Sequence, residues 1–345
     1  MPLTESLLTP RTRNLMRHVA SNHFELDLSG FKVITEAATG PYAVTASLAA
    51  LAGAEVDAVA DDTDFNSYDQ AALQTMDIAE LCDVSAHVRV VTRGQADFES
   101  AMVVTNLGTV RPFNRELIAR LPEGAVISTM CEPGKLQPKD IDLEACARHA
   151  IKVVGIWEEH LLVDILRYAG PLALKLLLEQ GLEVAGNFIA IAGADRFAPP
   201  IARSLVAMGA EVIHMKDWEN LADIPPGRLD ALLYSDYDQE IGRPMVDPGI
   251  LQRQVGALLL QFTGGLNLVP FISAAWRLVP EQTLPPRTLW RTPAHLGIGP
   301  VIHQHAAGLK AAELALKQVP LDGGSPFAGL RQSIENETRA SEASF

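Results

Sequence analysis

The stretch "IAIAGADRFAPPIARSLVAMGAEVIHMKDW", Ile189 to Trp218, constrains the fold more than any other. An apolar run of strand length meets a glycine turn. A segment of helical period follows, and a second short apolar run ends beside an acid. Strand, helix and strand at these lengths describe one parallel βαβ unit.

The same alternation fills most of the chain and predicts an α/β protein. In "FKVITEAATGPYAVTASLAALAGAEVDAVADD", Lys32–Thr35 reads as a strand and Gly40-Pro41 as a turn. Tyr42–Ala52 reads as a helix ended by Gly53, and Glu55–Ala60 as the next strand. Next come a helix in "SYDQAALQTMDIAELC", strands in "VRVVT" and "SAMVVTNLG", a helix in "NRELIARL", a strand in "GAVISTM", a helix in "KDIDLEACARHA" and a strand in "IKVVGI". Leu161 to Gln180 predicts one long apolar helix, kinked at Pro171 and stopped by Gly181. After the βαβ unit come the strand "DALLYSD", the helix "GILQRQV", the strand "ALLLQFTGG", the segment "TPAHLGIGPVIHQH" and a closing helix, "AAGLKAAELALKQ". The polar tail "RQSIENETRASEASF" reads as frayed or helical surface. This order predicts two Rossmann-like domains, each a doubly wound parallel sheet, with an interdomain crevice. The first covers 1–160, completed by a returning C-terminal segment 305–345, and the second covers 161–304.

Composition narrows the function class. The chain has 345 residues, 48% hydrophobic and 20% charged, which describes a folded protein with a large core. Its formal net charge of -14 repels phosphate backbones and anionic lipid, so neither nucleic acid nor membrane is an expected partner. Three cysteines without a CxxC pair supply neither a disulfide framework nor a zinc site, and a reducing, cytoplasmic setting is the simplest expectation. "MPLTESLLTPRTRNLM" lacks the apolar core of a signal peptide. The run "ALLLQFTGGLNLVPFISAAW" is broken by Gln261, Asn267, Pro270 and two glycines, so it reads as a buried strand, a turn and a further element.

The βαβ loop invites comparison with the dinucleotide fingerprint G-x-G-x-x-G/A. Gly193 fits the tight-turn position, Ala198 the close-packing position, and Asp217 the ribose-binding acid past the second strand. The misfit is Asp195, which stands where a second glycine lets the backbone approach the pyrophosphate. An aspartate adds bulk and negative charge there, yet it is also a good helix N-cap. Two readings follow. Either Asp195 caps the helix, or the loop still holds NAD or NADP with Arg196 offsetting the charge.

The stretches "VTNLGTVRPFNRELIARLPEGAVISTM" and "DIDLEACARHAIKVVGI" resemble the catalytic domain of the D-2-hydroxyacid dehydrogenases. "TASLAALAGAEVDAVADDTDFNSYDQAA" resembles the substrate domain of S-adenosylhomocysteine hydrolase. "TPAHLG" is similar to the segment that carries the dehydrogenases' catalytic histidine. The resemblance covers most of residues 30 to 315 and implies NAD(P) chemistry on a small carboxylate-bearing metabolite, with His295 as acid–base and a homodimer as the assembly. The chain departs from the family where an arginine should follow the strand end "LQFTGG", and no counterpart of the family's glutamate stands in "GGLNLVPFISAAW". The hydrolase's paired lysine and aspartate are not recognisable either.

Other residues at predicted strand ends could meet a ligand. Thr39, Gly40 and Tyr42 follow the first strand, and Thr105, Asn106 and Arg111 lie in "TNLGTVRP", where Arg111 could grip a carboxylate. Glu158 and His160 pair a carboxylate with an imidazole at the predicted entry of the long helix, where they could do acid–base work or simply favour the helix start. His295, His303 and His305 lack a completing ligand and helical metal spacing, so no metal is expected. Three functions stay open: an NAD(P)-dependent oxidoreductase, a cofactor-free scaffold that binds a metabolite, a peptide or a partner enzyme, and a non-redox lyase or hydrolase.

Overall fold

The computed structural model describes residues 7–63, 67–132, 139–239, 248–321 and 325–329. The expected surface tail from Arg331 onward lies outside them. The chain divides into two compact units. Unit 1 joins 1–165 to 297–345, and unit 2 is 166–296.

Unit 1 opens with α1 (Pro10–His18), β1 (Lys32–Glu36), α2 (Thr45–Leu51), β2 (Glu55–Val59), α3 (Tyr68–Leu81) and β3 (Val88–Val91). It continues with β4 (Ala101–Thr105), α4 (Arg115–Ile118), β5 (Val126–Ser128), α5 (Leu143–Arg148) and β6 (Lys152–Ile156). Unit 2 holds α6 (Ala169–Glu179), β7 (Phe188–Ala192), α7 (Ala198–Ala207), β8 (Glu211–Met215) and β9 (Ala231–Tyr234). It ends with α8 (Pro248–Gln252), β10 (Leu258–Gln261), α9 (Val269–Ser273) and β11 (Arg277–Val279). The chain then returns to unit 1 as α10 (Ile298–Leu316) and β12 (Phe327–Gly329).

The sheet of unit 1 runs in the order β3-β2-β1-β4-β5-β6-β12. Six strands are parallel, and β12 adds an antiparallel edge on β6, which shields that edge from further pairing. Crossovers leave β1 toward β2 and β3 on one side and start again at β4 on the other. The switch point therefore lies between β1 and β4, where an open α/β sheet leaves a crevice beyond its carboxyl ends. Ile34, Val104 and Ile127 pack with Ile118 and Ala145 of α4 and α5 on one face. α10 packs against β5, β6 and α2. The Ser128 hydroxyl donates to the carbonyl of Gly308 at 2.9 Å, and Lys152 Nζ donates to that of Ala315 at 2.7 Å.

The five parallel strands of unit 2 run β8-β7-β9-β10-β11, with the switch point between β7 and β9. Side chains alternate with the period of two that a sheet requires. Ile189, Ile191, Leu233 and Leu260 meet α6 and α7 on one face, while Ala190, Leu232, Tyr234 and Leu259 meet Leu251 and Phe271 of α8 and α9 on the other.

Two expectations need correction. The single helix over Leu161–Gln180 is instead a set of turns over 158–163, a 3-10 segment Ile165–Tyr168 and α6 from Ala169. Pro171 thus sits in the first turn of α6, where its missing N–H costs nothing, and makes no interior kink. The closing helix begins at Ile298, after Gly297 at φ 129°, so "IGPVIHQH" belongs to it and to unit 1.

The close approach of α6 to α7 depends on Gly170. A Cβ there would lie 2.7 Å from the carbonyl oxygen of Pro200 and would overlap the Ser204 hydroxyl. Gly170→Ala should gain about 1 kcal/mol of helix propensity. Overpacking against α7 should outweigh this, for a net loss of about 1–2 kcal/mol. Urea denaturation of the full chain measures the sign.

Candidate functional site

The switch point of unit 1 gathers several polar groups. The register Ile34↔Val104 puts Thr35 beside Thr105, and their hydroxyls bond at 2.8 Å in the interior. One residue further, Glu36 closes β1 and Asn106 follows the end of β4. Asn106 is 6% exposed, its N–H donates to the Ser128 carbonyl at 2.8 Å, and its side-chain Oδ1 is buried with no hydrogen-bond partner. A buried acceptor without a donor costs roughly 1–3 kcal/mol, which the rest of the fold must offset.

Glu36 is partly buried beside Gly108, where the carboxyl lies so close that a Cβ would overlap Oε2. Gly108 sits at φ 40°, which already favours glycine. Burial raises the Glu36 carboxyl from 4.5 to about 7, against the pull of the Arg111 guanidinium. Arg111 also lies 4.0 Å from Asp140. Thr109 closes the turn by donating to the Val59 carbonyl at 2.9 Å. Of the residues expected at this edge, Thr105, Asn106 and Arg111 come together, and they do so around Glu36.

Thr39, Gly40 and Tyr42 extend from β1. Gly40 adopts φ 61° and donates its N–H to Gln74 Oε1 at 2.8 Å. Thr39 precedes the 3-10 segment Gly40–Val44. The Tyr42 ring lies 6.0 Å from the ring of His305. His305 is buried, its Nδ1 meets the Thr45 hydroxyl at 2.6 Å, and burial lowers it to about 4, so it is neutral near pH 7. Glu158 is 4% exposed just past β6, and its N–H donates to Glu132 Oε1 at 3.2 Å. His160 lies in a turn, where Nδ1 accepts from the Leu162 N–H at 3.2 Å.

His295 belongs to unit 2. Its Nε2 meets Glu179 at 3.0 Å, and its carbonyl accepts from Lys175 Nζ. Glu179 ends α6, and the next residue, Gln180, accepts from Arg277 at the start of β11. Gly170, at the other end of α6, is the residue that packs on α7. His295 therefore lies toward the amino edge of the sheet, and the structure does not bring it to the loop after β7. A surface hollow lined by Pro171, Leu174, Lys175, Leu178 and Glu179 lies along the same helix. His303 Nδ1 bonds its own helix at the Gly299 carbonyl, so the three histidines have three separate settings.

At the carboxyl edge of unit 2, Asp195 is 2% exposed. Its Oδ1 accepts from the N–H groups of Phe197 at 3.0 Å and Ala198 at 3.1 Å. Its Oδ2 accepts from the Tyr237 N–H at 2.7 Å, and the Ser235 hydroxyl reaches Oδ1 at 2.9 Å and Oδ2 at 3.2 Å. Burial raises the carboxyl to about 6, opposed by the donors from Tyr237, Ser235, Ala198 and Phe197. Asp195, two residues before the N-cap Phe197, accepts from the amides that open α7 and bridges to the loop after β9. Arg196 lies over the rings of Phe197 and Tyr237. Gly193 has φ 146°, and a Cβ there would overlap the Ser235 carbonyl, so its glycine serves the approach of two protein loops. Ala198 is fully buried and Asp217 is exposed past β8.

NAD or NADP, implied by the resemblance, would seat its pyrophosphate on the amides that open α7. Asp195 already takes those amides and adds a negative charge. The residues present do not fit the group in that seat.

Sequence reasoning missed Glu36, Glu132 and Glu179. Glu36 opens the run "EAATGPY", where an acid as the last residue of a strand is a usable signal. Glu179 carried none, because its partner His295 is 116 residues away. Among the described residues, no three His, Cys, Asp or Glu side chains are grouped to hold a metal, and no helix is long and apolar enough to cross a membrane.

Glu36 makes a pH-dependent stability term. A carboxyl raised in the folded state keeps its proton longer than in the unfolded chain. Stability is therefore lost as pH rises from 4.5 to about 7. Glu36→Gln has no proton to lose. It should match the wild type near pH 4 and exceed it above pH 7.5 by up to about 3 kcal/mol, from the size of the shift. Urea midpoints at both pH values test this, and a deficit that appears only above pH 7.5 would show that the carboxylate is stabilising.

No protein-family model matches the chain, and a search of curated proteins finds no match. Solved structures do resemble it. A dipicolinate synthase polypeptide from Bacillus halodurans is 12% identical over 86% of this chain and 100% of its own, with a TM-score of 0.53. Its namesake from Bacillus subtilis is 14% identical over 85% and 97%, with a TM-score of 0.51. A transhydrogenase from Sinorhizobium meliloti is 12% identical over 83% and 96%, with a TM-score of 0.50. At such identity the likeness is one of fold alone: two Rossmann-like α/β units, each built on a mainly parallel sheet.

Proposed function

We propose that this dehydrogenase-like protein is a non-redox enzyme, of lyase type, that binds a small hydroxy acid at the switch point of unit 1. The observation that carries this reading is the Glu36 carboxyl, poised at about 7 beside an arginine and an unpartnered buried amide oxygen. A carboxyl near neutrality can both take and return a proton, which suits general acid–base work. Arg111 supplies a guanidinium for the ligand's carboxylate. Asn106 Oδ1 needs a donor, and a ligand hydroxyl would supply one. Glu36 would take a proton from the carbon next to the one that bears the hydroxyl, the C–O bond would break as the C=C forms, and Glu36 would return the proton to the departing hydroxide as water, while Arg111 and Asn106 hold the molecule in place.

The second reading is an NAD(P)-dependent oxidoreductase acting on such an acid. Gly193, Ala198 and Asp217 favour it, and the buried Asp195 carboxylate weighs against it.

Calorimetric titration with malate, lactate and tartrate tests the first reading. One of them should bind, and Arg111→Ala should weaken it roughly tenfold to a hundredfold, the value of a hydrogen bond to a charged group. For the acid that binds, turnover should rise with an inflection near pH 7, and Glu36→Gln should abolish the inflection together with the activity. Equal binding to wild type and Arg111→Ala would remove the assignment of Arg111. Full activity in Glu36→Gln would remove the acid–base role.

A further inference from the structure

We propose that unit 2 carries a latent phosphate seat kept filled by the side chain of Asp195, and that this one residue stands between the fold and dinucleotide binding. The inference rests on unit 2 alone and is independent of the hydroxy-acid reading of unit 1.

The bonds of Asp195 are those an anion makes at the start of a helix. Phe197 and Ala198 present the N–H groups that open α7, and Oδ1 receives both. Tyr237 and Ser235 add donors from the far side of the switch point. A carboxylate has about four lone-pair sites, and four groups here supply donors to them. These four donors are all taken up by Asp195, so none of the four is open to a phosphate oxygen.

What surrounds this carboxylate keeps the outline of a phosphate loop. Gly193 keeps its glycine-only conformation at the end of β7, and Ala198 packs without exposed surface at the start of α7. Asp217 stands exposed just past β8, and its side chain makes no capping bond to the 3-10 segment that follows it. The neighbouring acid Asp236 follows the sheet alternation to the other face, where Oδ2 accepts from the Tyr234 hydroxyl at 3.4 Å. Removing the Asp195 side chain therefore frees four donors at this point.

The test uses the full chain as wild type, Asp195→Gly and Asp195→Ser. Serine keeps an N-cap oxygen and discards the charge, which protects against a variant that fails to fold. NAD and NADP are titrated by calorimetry, and inorganic pyrophosphate is scored by thermal shift. Without ligand, both variants should melt below the wild type. Pyrophosphate should raise the midpoint of the variants and leave the wild type unmoved. NAD or NADP should bind at least one variant tenfold or more tighter than the wild type. The inference is overturned if the wild type binds as tightly as the variants, or if folded variants take neither pyrophosphate nor dinucleotide. Should neither variant fold, hydrogen exchange on the wild type decides. The amides of Phe197, Ala198 and Tyr237 should exchange slowly without ligand and stay unchanged in millimolar NAD, and protection that appears only with NAD overturns the proposal.

Discussion

The carboxylate of Asp195 ties together the loops that leave β7 and β9, and the carboxyl edge of unit 2 is organised around that tie. It fixes where α7 begins, because the first amides of the helix point at it. It fixes the exit of β9 as well, because Ser235 and Tyr237 donate to it from there. The two loops then pass so close that position 193 admits only glycine. Burying an anion costs several kcal/mol unless donors replace the lost water. Here two backbone amides from one loop meet an amide and a hydroxyl from the other. Removing any of them would leave either a buried charge or a buried donor short of a partner, so the four bonds stand or fall together.

Unit 1 resolves the same topological problem differently. Its switch point lies between β1 and β4, and its strand ends carry polar groups too. The threonines of the last paired positions bond each other, which satisfies the interior. One residue outward the satisfaction stops, since Asn106 Oδ1 has no partner and the Glu36 carboxyl makes no hydrogen bond among the described residues. The carboxylate at one switch point is saturated by donors, while a buried oxygen at the other has none, and this contrast is what favours unit 1 for the proposed ligand. Fold likeness alone could not assign it, because the same architecture hosts different chemistries.

Much of this fold was legible in the sequence. Strands covered on both faces must be apolar throughout, and runs such as Ile189–Ala192 and Leu258–Leu260 announce themselves. Helices failed where apolar content was mistaken for helical continuity. Leu161 is 90% exposed in a turn, and regular helix starts only two residues before Pro171. The site was less legible for a related reason. Asp195 is recognisable as a cap from its own neighbours, but Ser235 and Tyr237 lie 40 and 42 residues away, and only the fold brings them back. His295 shows the reverse contrast. A motif likeness placed it at the chemistry, while its bonds to α6 place it toward the opposite edge of the sheet.

Two buried carboxyls thus share one cause and differ in consequence. Burial raises Glu36 to about 7 and Asp195 to about 6. The shift alone does not separate a chemical group from a structural one; the inventory of partners does. Asp195 is surrounded by donors that favour its charged form, so it titrates at the lower value and has no lone pair to offer. Glu36 faces one guanidinium and accepts no hydrogen bond among the described residues, so its proton is held by desolvation alone. A ligand that brings a negative charge near Glu36, or one that excludes water from it, would raise the carboxyl further and keep it protonated. A ligand that draws Arg111 closer would do the opposite. The acid–base state of Glu36 is therefore set by whatever occupies the crevice, whereas that of Asp195 is set by the protein itself.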